Sequence, residues 1–285
     1  MSRFLQYLDG ILKTCDFPLT RITEIHNGIS ETLEVSAQNP CQNCYSVAKT
    51  FTMTAIGLLY DKGLLRTDDR LCDILSDELP ESGMDERWHT VTVDMLLTHS
   101  AGLPGGFLDI DCNSSLDFTE DFLRYTLTYP LDYTPGTDRK YSDGAYYLLS
   151  RIVERLTGMG TDNFLWKEIL YKMNFQEMAW SHCPGGHVMG ATGLYIHSSD
   201  MAKLGQLYLD SGMWNGERLL SAQWIELAKK RCYGLDWNED GTIYYKGGMC
   251  GQKLMVIPAQ NRVVAVQSFG GNTAVIEHAA RDYKE

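Results

Sequence analysis

The chain has 285 residues, of which 44% are hydrophobic and 22% charged, the balance of a globular protein with a large core. Its formal charge of −12 repels phosphate backbones and anionic lipid, so nucleic acid and membrane surfaces are not expected partners. The longest apolar runs fall short of the ~20 residues that a membrane-spanning helix needs. Asp9 interrupts the stretch where a signal peptide would be apolar, so a cytoplasmic protein is expected.

The eight cysteines are expected to be reduced, apolar fillers in such a chain. Cys41 and Cys44 form a C-x-x-C pair, a spacing that also occurs at zinc and redox sites. No second pair follows, and no histidine lies close in sequence to complete four ligands. The sequence therefore predicts no metal site.

The first half of the chain begins with an amphipathic helix over residues 1–17 and a hairpin that turns at His26-Asn27-Gly28. Residues 44–65 predict a helix that stops at Gly63. Residues 66–185 are mostly helical by the spacing of their apolar positions, with short helices over 68–79, 92–100 and 115–127 and longer ones after residue 143.

The last hundred residues return to mixed structure. Helices are predicted over 198–212, 221–231 and 273–285, and strands over 241–248, 251–258 and 261–269. Strands near both termini with helices between them predict an α+β fold, in which one antiparallel sheet flanked by helices is built from both chain ends. Residues 1–65 and 186–285 would form the sheet domain and residues 66–185 an inserted helical domain, with an active site in the cleft between them.

Ser46 and Lys49 stand three residues apart at the head of the predicted helix, so their side chains share one face. A serine becomes a nucleophile only beside a base, and a helix N-terminus offers free N–H groups to a developing oxyanion. Lysine can be that base where burial lowers its pKa. The alternative is a capping serine followed by a solvated lysine, and this motif alone leaves both open.

Two further motifs lie far along the chain. Tyr141 follows a Pro-Gly loop and directly precedes a helix, a position where function is more common than core packing. Lys246-Gly247-Gly248 belongs to a strand, and glycines weaken a strand unless another group must approach its backbone. A substrate lying along this strand would need such access.

The order Ser46 and Lys49, Tyr141, then Lys246-x-Gly248 resembles the serine hydrolase superfamily of penicillin-binding proteins and β-lactamases, in particular its class C β-lactamase and esterase branch. The likeness covers about residues 20–270. Its longer segments are "TVTVDMLLTHSAGLPG", "PGTDRKYSDGAYYLLSRIVERLTG" and "GATGLYIHSSDMAKLGQLYLDSG". His99, in the first of these, is expected to support a loop. The resemblance implies a β-lactamase/transpeptidase-like fold.

The resemblance also implies roles for individual residues. Ser46 would attack a carbonyl and form an acyl-enzyme, with Lys49 and Tyr141 sharing the proton transfers. The oxyanion would lie between the backbone N–H groups of Ser46 and Met249. Neither a metal nor an organic cofactor would be needed, and the partner would be a small ester, amide or β-lactam. The residues expected to bind the substrate are Asp143, Lys246, Gly247 and Gly248.

Two positions depart from the family pattern. Asp143 stands where asparagine or serine is usual, and a carboxylate there would raise the pKa of Lys49 and oppose its role as a neutral base. Either Tyr141 takes more of the base role or Lys246 pairs with Asp143, and the second route is favoured. Gly247 lacks the usual hydroxyl, which disfavours β-lactam recognition. A small-molecule esterase or amidase is therefore the leading hypothesis, with a β-lactamase or a non-catalytic binding module as alternatives.

Overall fold

The structure is a computed structural model that describes residues 1–14, 18–113 and 118–284. Its strands are β1 (Leu19–His26), β2 (Ile29–Glu34), β3 (Gln42–Asn43), β4 (Met178–Trp180), β5 (Leu194–Ile196), β6 (Met213–Trp214), β7 (Glu217–Arg218), β8 (Asp236–Trp237), β9 (Tyr244–Gly247), β10 (Lys253–Ile257) and β11 (Arg262–Ser268). Its α-helices are α1 (Arg3–Leu12), α2 (Ala48–Asp61), α3 (Leu71–Ile74), α4 (Val93–Leu97), α5 (Phe122–Thr128), α6 (Asp143–Thr157), α7 (Thr161–Leu165), α8 (Ser198–Leu209), α9 (Ala222–Arg231) and α10 (Ala274–Asp282).

The chain forms two compact units. The first contains residues 1–47, 172–179 and 194–285, and the second contains residues 48–171 and 180–193. We call them the sheet unit and the helical unit. Among the described residues, no helix combines the length and the apolar character needed to cross a membrane.

The sheet unit is built on six antiparallel strands in the order β2-β1-β11-β10-β9-β8. Helix α8 packs against β1, β10 and β11. Helices α1 and α10 share an apolar cluster with the sheet, whose members include Phe4, Val264 and Ile276. Strands β10 and β11 are buried along their whole length, and their central residues, 254–257 and 263–266, are continuous apolar runs rather than alternating ones. The predicted antiparallel sheet, built from both chain ends, is confirmed.

The hairpin between β1 and β2 shows how local sequence sets this sheet. Asn27 and Gly28 both have positive φ, at 51° and 77°. A two-residue turn of this kind matches the twist of the flanking strands and favours Asn-Gly. The register then places Ile22 opposite Val266 on one side and Leu33 on the other. The predicted turn at residues 26–28 is therefore confirmed.

The helical unit is centred on α2, whose residues 48–59 are all buried. Helix α2 packs against α6 and α7, and α4 packs against α6. The sequence analysis grouped residues 48–65 with the sheet domain, whereas these contacts group α2 with the helices. Helix α2 is buried nearly all round, so its sequence alone does not indicate which neighbour it joins.

Several predicted helices differ in extent. The segment predicted as one helix over 68–79 forms α3 and a short 3-10 turn, Ser76–Glu78. Helix α7 continues as a π-helical turn, Trp166–Leu170. Three predicted helices include residues 15–17, 114–117 or 285, which lie outside the described residues, as does Cys15.

Candidate active site

Ser46 lies in a 3-10 turn, Tyr45–Val47, that runs directly into α2. The α-helix was predicted from residue 44 but begins at Ala48, because Tyr45 has a φ of 48° in the left-handed region. That conformation is strained for a bulky residue and is held by its surroundings. The N–H of Tyr45 donates to Asn43 Oδ1 (2.8 Å), and the N–H of Cys44 donates to the Leu194 carbonyl (2.7 Å). The strained turn thus presents half-buried Ser46 at the head of α2.

Lys49 follows Ser46 by three residues, on the first turn of α2, and is fully buried. Its Nζ donates to Asp143 Oδ1 (2.7 Å) and to the carbonyl of Ala191 (3.0 Å). The same Nζ lies 4.6 Å from the centre of the Tyr141 ring. The helical unit therefore brings Lys49, Tyr141 and Asp143 together, and the alternative of a solvated lysine is wrong.

The charge state of Lys49 follows from competing effects. Burial lowers the pKa of Lys49, but the Asp143 carboxylate and the Tyr141 phenol act against it, and the net pKa is raised. The expected burial of Lys49 is therefore present, but it does not lower the net pKa of this amine. The expected effect of Asp143 is confirmed, because the carboxylate favours the ammonium form of Lys49. A positively charged amine cannot accept a proton, so this charge state opposes a role of Lys49 as a neutral base.

Tyr141 is 40% exposed and directly precedes Ser142, the N-cap of α6. The His99 ring lies 4.5 Å from the Tyr141 ring, and the N–H of Ser142 donates to His99 Nδ1 (3.3 Å). The carbonyl of His99 also accepts from the N–H of Lys140 (2.8 Å). His99 thus holds the backbone on both sides of Tyr141, and its predicted role as loop support is confirmed.

Two more carboxylates lie beside Asp143, and no motif had singled them out. Oxygens of Asp109, Asp111 and Asp143 fall within 4.8 Å of one another. Burial and the neighbouring Asp143 and Asp109 raise the pKa of Asp111, although a hydrogen bond from Thr192 opposes this. Three carboxylate oxygens suit a hard divalent cation, but the ammonium of Lys49 already occupies one face of Asp143. A single Asp-x-Asp pair in the loop was the one available sequence signal.

The predicted lysine-glycine motif lies in the sheet unit. Lys246 is 7% exposed on β9, opposite Leu254. A Cβ added at Gly248 would lie 2.4 Å from the carbonyl oxygen of Cys44, so only glycine permits this approach. A Cβ added at Gly247 would meet nothing within 4 Å. The end of β9 therefore lies against the backbone that leads to Ser46, while Gly247 borders open space.

Met249, the second predicted oxyanion residue, begins the 3-10 turn Met249–Gly251. The first N–H groups of a helical turn have no acceptor inside the turn itself. The preceding N–H, of Gly248, donates to the Gln252 carbonyl (2.7 Å) and fixes this turn. The sheet unit thus brings the segments of both predicted oxyanion residues together through the Gly248–Cys44 approach.

Comparisons with known proteins show which proteins this chain is similar to. The chain is 27% identical over 280 residues to penicillin-binding protein 4 of Amycolatopsis lactamdurans, covering 79% of this chain and 71% of that protein. It is 23% identical over 253 residues to a putative D-alanyl-D-alanine carboxypeptidase of Escherichia coli O157:H7, covering 67% of this chain and 56% of the relative. The chain thus spans little more than half of this second relative.

A solved structure, a putative 6-aminohexanoate-dimer hydrolase from Bacillus anthracis, matches with a TM-score of 0.78 at 17% identity, over 96% of this chain and 79% of that one. This match confirms the β-lactamase/transpeptidase-like fold. The profile of the family described as Beta-lactamase matches residues 41–283, a range that contains every predicted site residue. The chain therefore belongs to the Beta-lactamase family, among the serine acyl hydrolases that resemble penicillin-binding proteins.

Proposed function

We propose that this protein hydrolyses a small ester or amide through an acyl-enzyme formed on Ser46. The observation that carries the proposal is the start of α2, where Ser46 precedes by one turn a fully buried Lys49 held by Asp143 and Tyr141. An ordinary surface helix has no physical reason to bury a lysine beside a carboxylate and a phenol. Such an arrangement is costly to build and typical of sites that move protons.

In this proposal each of the sequence motifs has its own part in the reaction. Ser46 Oγ forms a bond to the carbonyl carbon and passes its proton to Tyr141, whose ionised phenol is favoured by the neighbouring Lys49 ammonium. The bond to the leaving group breaks, and Tyr141 returns the proton to the departing alcohol or amine. A water molecule then releases the acid by the reverse steps. The N–H groups of Ser46 and Met249 hold the oxyanion.

The substrate-binding roles remain part of the proposal. Gly247 borders open space along β9, which leaves room for a substrate backbone, and Lys246 offers a point charge to an anionic group. Asp143 is paired with Lys49 in this structure, so its favoured pairing with Lys246 stays a prediction. The open backbone at Gly247 without a hydroxyl supports an ester or amide ahead of a β-lactam.

Turnover of matched substrates tests this proposal. Wild-type protein should hydrolyse p-nitrophenyl acetate and butyrate faster than a chromogenic cephalosporin, and Ser46→Ala should abolish each reaction. Ser221→Ala is the matched control, because Ser221 also stands at a helix start, where it caps α9 and accepts from the N–H of Trp224. Activity that survives in Ser46→Ala, or is lost equally in Ser221→Ala, would contradict the assignment.

One observation favours a competitor. The Lys49–Asp143 ion pair weakens the amine as a base, which is what a non-catalytic binding module on this fold would tolerate. A fluorophosphonate probe separates the two: a catalytic Ser46 gains the mass of the probe, and a binding module does not. A β-lactamase is the remaining alternative, and the cephalosporin arm of the turnover assay measures it.

The cellular setting is also a proposal. We expect a cytoplasmic protein that acts on small molecules, as the sequence analysis predicts, with neither nucleic acid nor membrane as a partner. Fractionation of the native host, followed by blotting for this chain, tests the location. Recovery in the membrane or in a secreted fraction would contradict it.

A further inference from the structure

A cavity of 260 Å³ lies within the sheet unit. Two of its lining residues are close in sequence to the predicted oxyanion residues Ser46 and Met249. Tyr45, which directly precedes Ser46, forms one wall. Gln252, which directly follows the turn that begins at Met249, forms another. The complete set of lining residues is Gln38, Asn39, Cys41, Gln42, Asn43, Tyr45, Tyr195, Gln252 and Phe269.

The walls of this cavity are held by contacts within the sheet unit. Asn43 pairs with Tyr195 between β3 and β5, and its side chain accepts from the N–H of Tyr45. Gln252 accepts from the N–H of Gly248 through its carbonyl, and its side chain donates to the Ser268 carbonyl (2.7 Å). Since these bonds bind the walls to the sheet and to the strained turn before Ser46, the cavity is preformed.

The chemistry of the walls indicates what fits. Three aromatic rings contribute, from Tyr45, Tyr195 and Phe269, and the last two are exposed to 41% and 70%. The other walls are mostly carboxamides, and the described lining residues include no charged side chain. Flat apolar groups stack well on aromatic rings, whereas an ion would lose its hydration here without a partner. The cavity therefore suits an uncharged aromatic group.

The volume of the cavity limits the size of the group that it can hold. Sites for whole drug-sized ligands span roughly 300–1,000 Å³, and this cavity falls below that range. It has room for one ring and a short linker, rather than for a complete extended substrate. Because its wall residue Tyr45 directly precedes Ser46 in the chain, a cavity of this size is matched to one substituent of a carbonyl bound at Ser46.

We propose that this cavity receives the acyl side chain of the substrate, and that the preferred substrates are esters or amides of an uncharged arylacetic acid, of which phenylacetyl esters are the simplest probe. The inference rests on the proposed acyl-enzyme at Ser46. In that reaction the phenylacetyl carbon bonds to Ser46 Oγ, the bond to the leaving alkoxide or amine breaks, and water later releases phenylacetic acid. The ring stays in the cavity during both steps.

The test compares two esters with the same leaving group, p-nitrophenyl phenylacetate and p-nitrophenyl acetate. We expect wild-type kcat/KM to be at least tenfold higher for the phenylacetate. Tyr195→Ala should lower the ratio of the two kcat/KM values at least fivefold, and Cys41→Phe, which fills the cavity from another wall, should lower it too. Tyr171→Ala is the matched control, an exposed tyrosine of the helical unit (71%) whose loss should leave the ratio unchanged. A ratio that none of the cavity variants alters would overturn the proposal.

A binding measurement distinguishes failure of this inference from failure of the proposed function. Phenylacetamide, an uncharged probe that carries no ester, is titrated into Ser46→Ala protein and followed by NMR. Binding that is lost in the Ser46→Ala/Tyr195→Ala double variant supports the cavity, even if the enzyme hydrolyses no ester. If esters are hydrolysed but phenylacetamide does not bind and the acyl ratio is flat, the cavity assignment is wrong while Ser46 chemistry stands. If neither binding nor hydrolysis is seen, both proposals fail.

Discussion

Each compact unit contains a buried ion pair, and the two pairs differ in what they can do. In the sheet unit, Arg262 Nε donates to Glu24 Oε1 (2.6 Å), and both side chains are 2% exposed. In the helical unit, Lys49 Nζ donates to Asp143 Oδ1 (2.7 Å), with side chains exposed to 0% and 6%. By burial and distance alone, the two pairs are nearly the same.

Their surroundings separate them. The guanidinium of Arg262 lies over the rings of Phe4 and Tyr283, 4.6 and 5.0 Å from their centres, and Ser2 donates a further hydrogen bond to Glu24. A guanidinium keeps its proton at any accessible pH, so this pair can only hold α1 and the C-terminal segment to the sheet. Lys49 instead carries a titratable amine and contacts a tyrosine that is 40% exposed. The difference teaches that two equally buried ion pairs can differ in whether an exposed, titratable side chain lies against them.

The largest expected effect is on stability and concerns the Arg262–Glu24 pair. Glu24→Gln leaves a buried guanidinium that cannot be neutralised, and we expect a loss of about 3–5 kcal/mol in the free energy of unfolding. Urea unfolding measures it. The control is Glu34→Gln, which removes the half-exposed partner of Arg21 and should cost less than ~1 kcal/mol. Equal losses of unfolding free energy in the two variants would show that burial of the Glu24–Arg262 pair does not contribute to stability.

A change beside the Lys49–Asp143 pair should affect activity rather than stability. Tyr141→Phe removes the exposed proton carrier, and we expect kcat/KM for p-nitrophenyl acetate to fall about 100-fold or more, as for a lost general base. Tyr133→Phe is the matched control, because Tyr133 also lies under a lysine, with Lys140 Nζ 4.8 Å from its ring centre. Full activity in Tyr141→Phe would remove the phenol from the mechanism.

The Asp143→Asn and Glu24→Gln variants should differ in how their stability depends on pH. The pKa of Lys49 is raised in the folded protein, so the stability it contributes is present below the unfolded pKa of about 10.4 and is lost as the pH rises through the folded pKa. We expect the variant to be destabilised most near neutral pH and the deficit to shrink in alkali. For Glu24→Gln the loss should stay constant over the same range.

The rate of Asp143→Asn gives a second readout. Without the carboxylate, the neutral amine of Lys49 becomes easier to form and can share the base role. The acid limb of the pH–rate profile should move to lower pH, and ester turnover at neutral pH should rise several-fold. A fall in rate with an unmoved limb would mean that Asp143 serves the reaction directly.

The smallest effect concerns two neighbouring glycines. Gly248→Ala would place a methyl group 2.4 Å from the Cys44 carbonyl oxygen, and we expect a loss of about 1–3 kcal/mol with impaired turnover. Gly247→Ala meets open space and should change stability by less than ~1 kcal/mol. Thermal unfolding of the two variants makes the comparison, and equal losses would contradict the close approach at Gly248.

Much of this architecture could be predicted from local patterns. The Asn27-Gly28 turn and the apolar runs of β10 and β11 are encoded within a few residues, so the antiparallel sheet was expected. The start of α2 was misplaced by four residues because the positive φ of Tyr45 is imposed by contacts with Asn43 and Leu194, not by the preference of tyrosine.

The site could be predicted only in part. Ser46, Lys49 and Tyr141 were predicted from motif order, but the charge of Lys49 depends on a balance between burial and Asp143, 94 residues away. No local pattern reports that balance. Asp109 and Asp111 offer only a single Asp-x-Asp pair as a signal, and the cavity lined by Tyr45 collects residues from four separate parts of the chain. Chemistry that depends on distant contacts had to await the structure.

Intact-mass spectrometry of the protein mixed with p-nitrophenyl esters and quenched in acid during turnover tests the central claim most directly. The account predicts a covalent gain equal to the acyl group, mapped by peptide sequencing to Ser46 and absent from Ser46→Ala. An adduct on any other residue, or rapid hydrolysis with no adduct under any quench time, would contradict it.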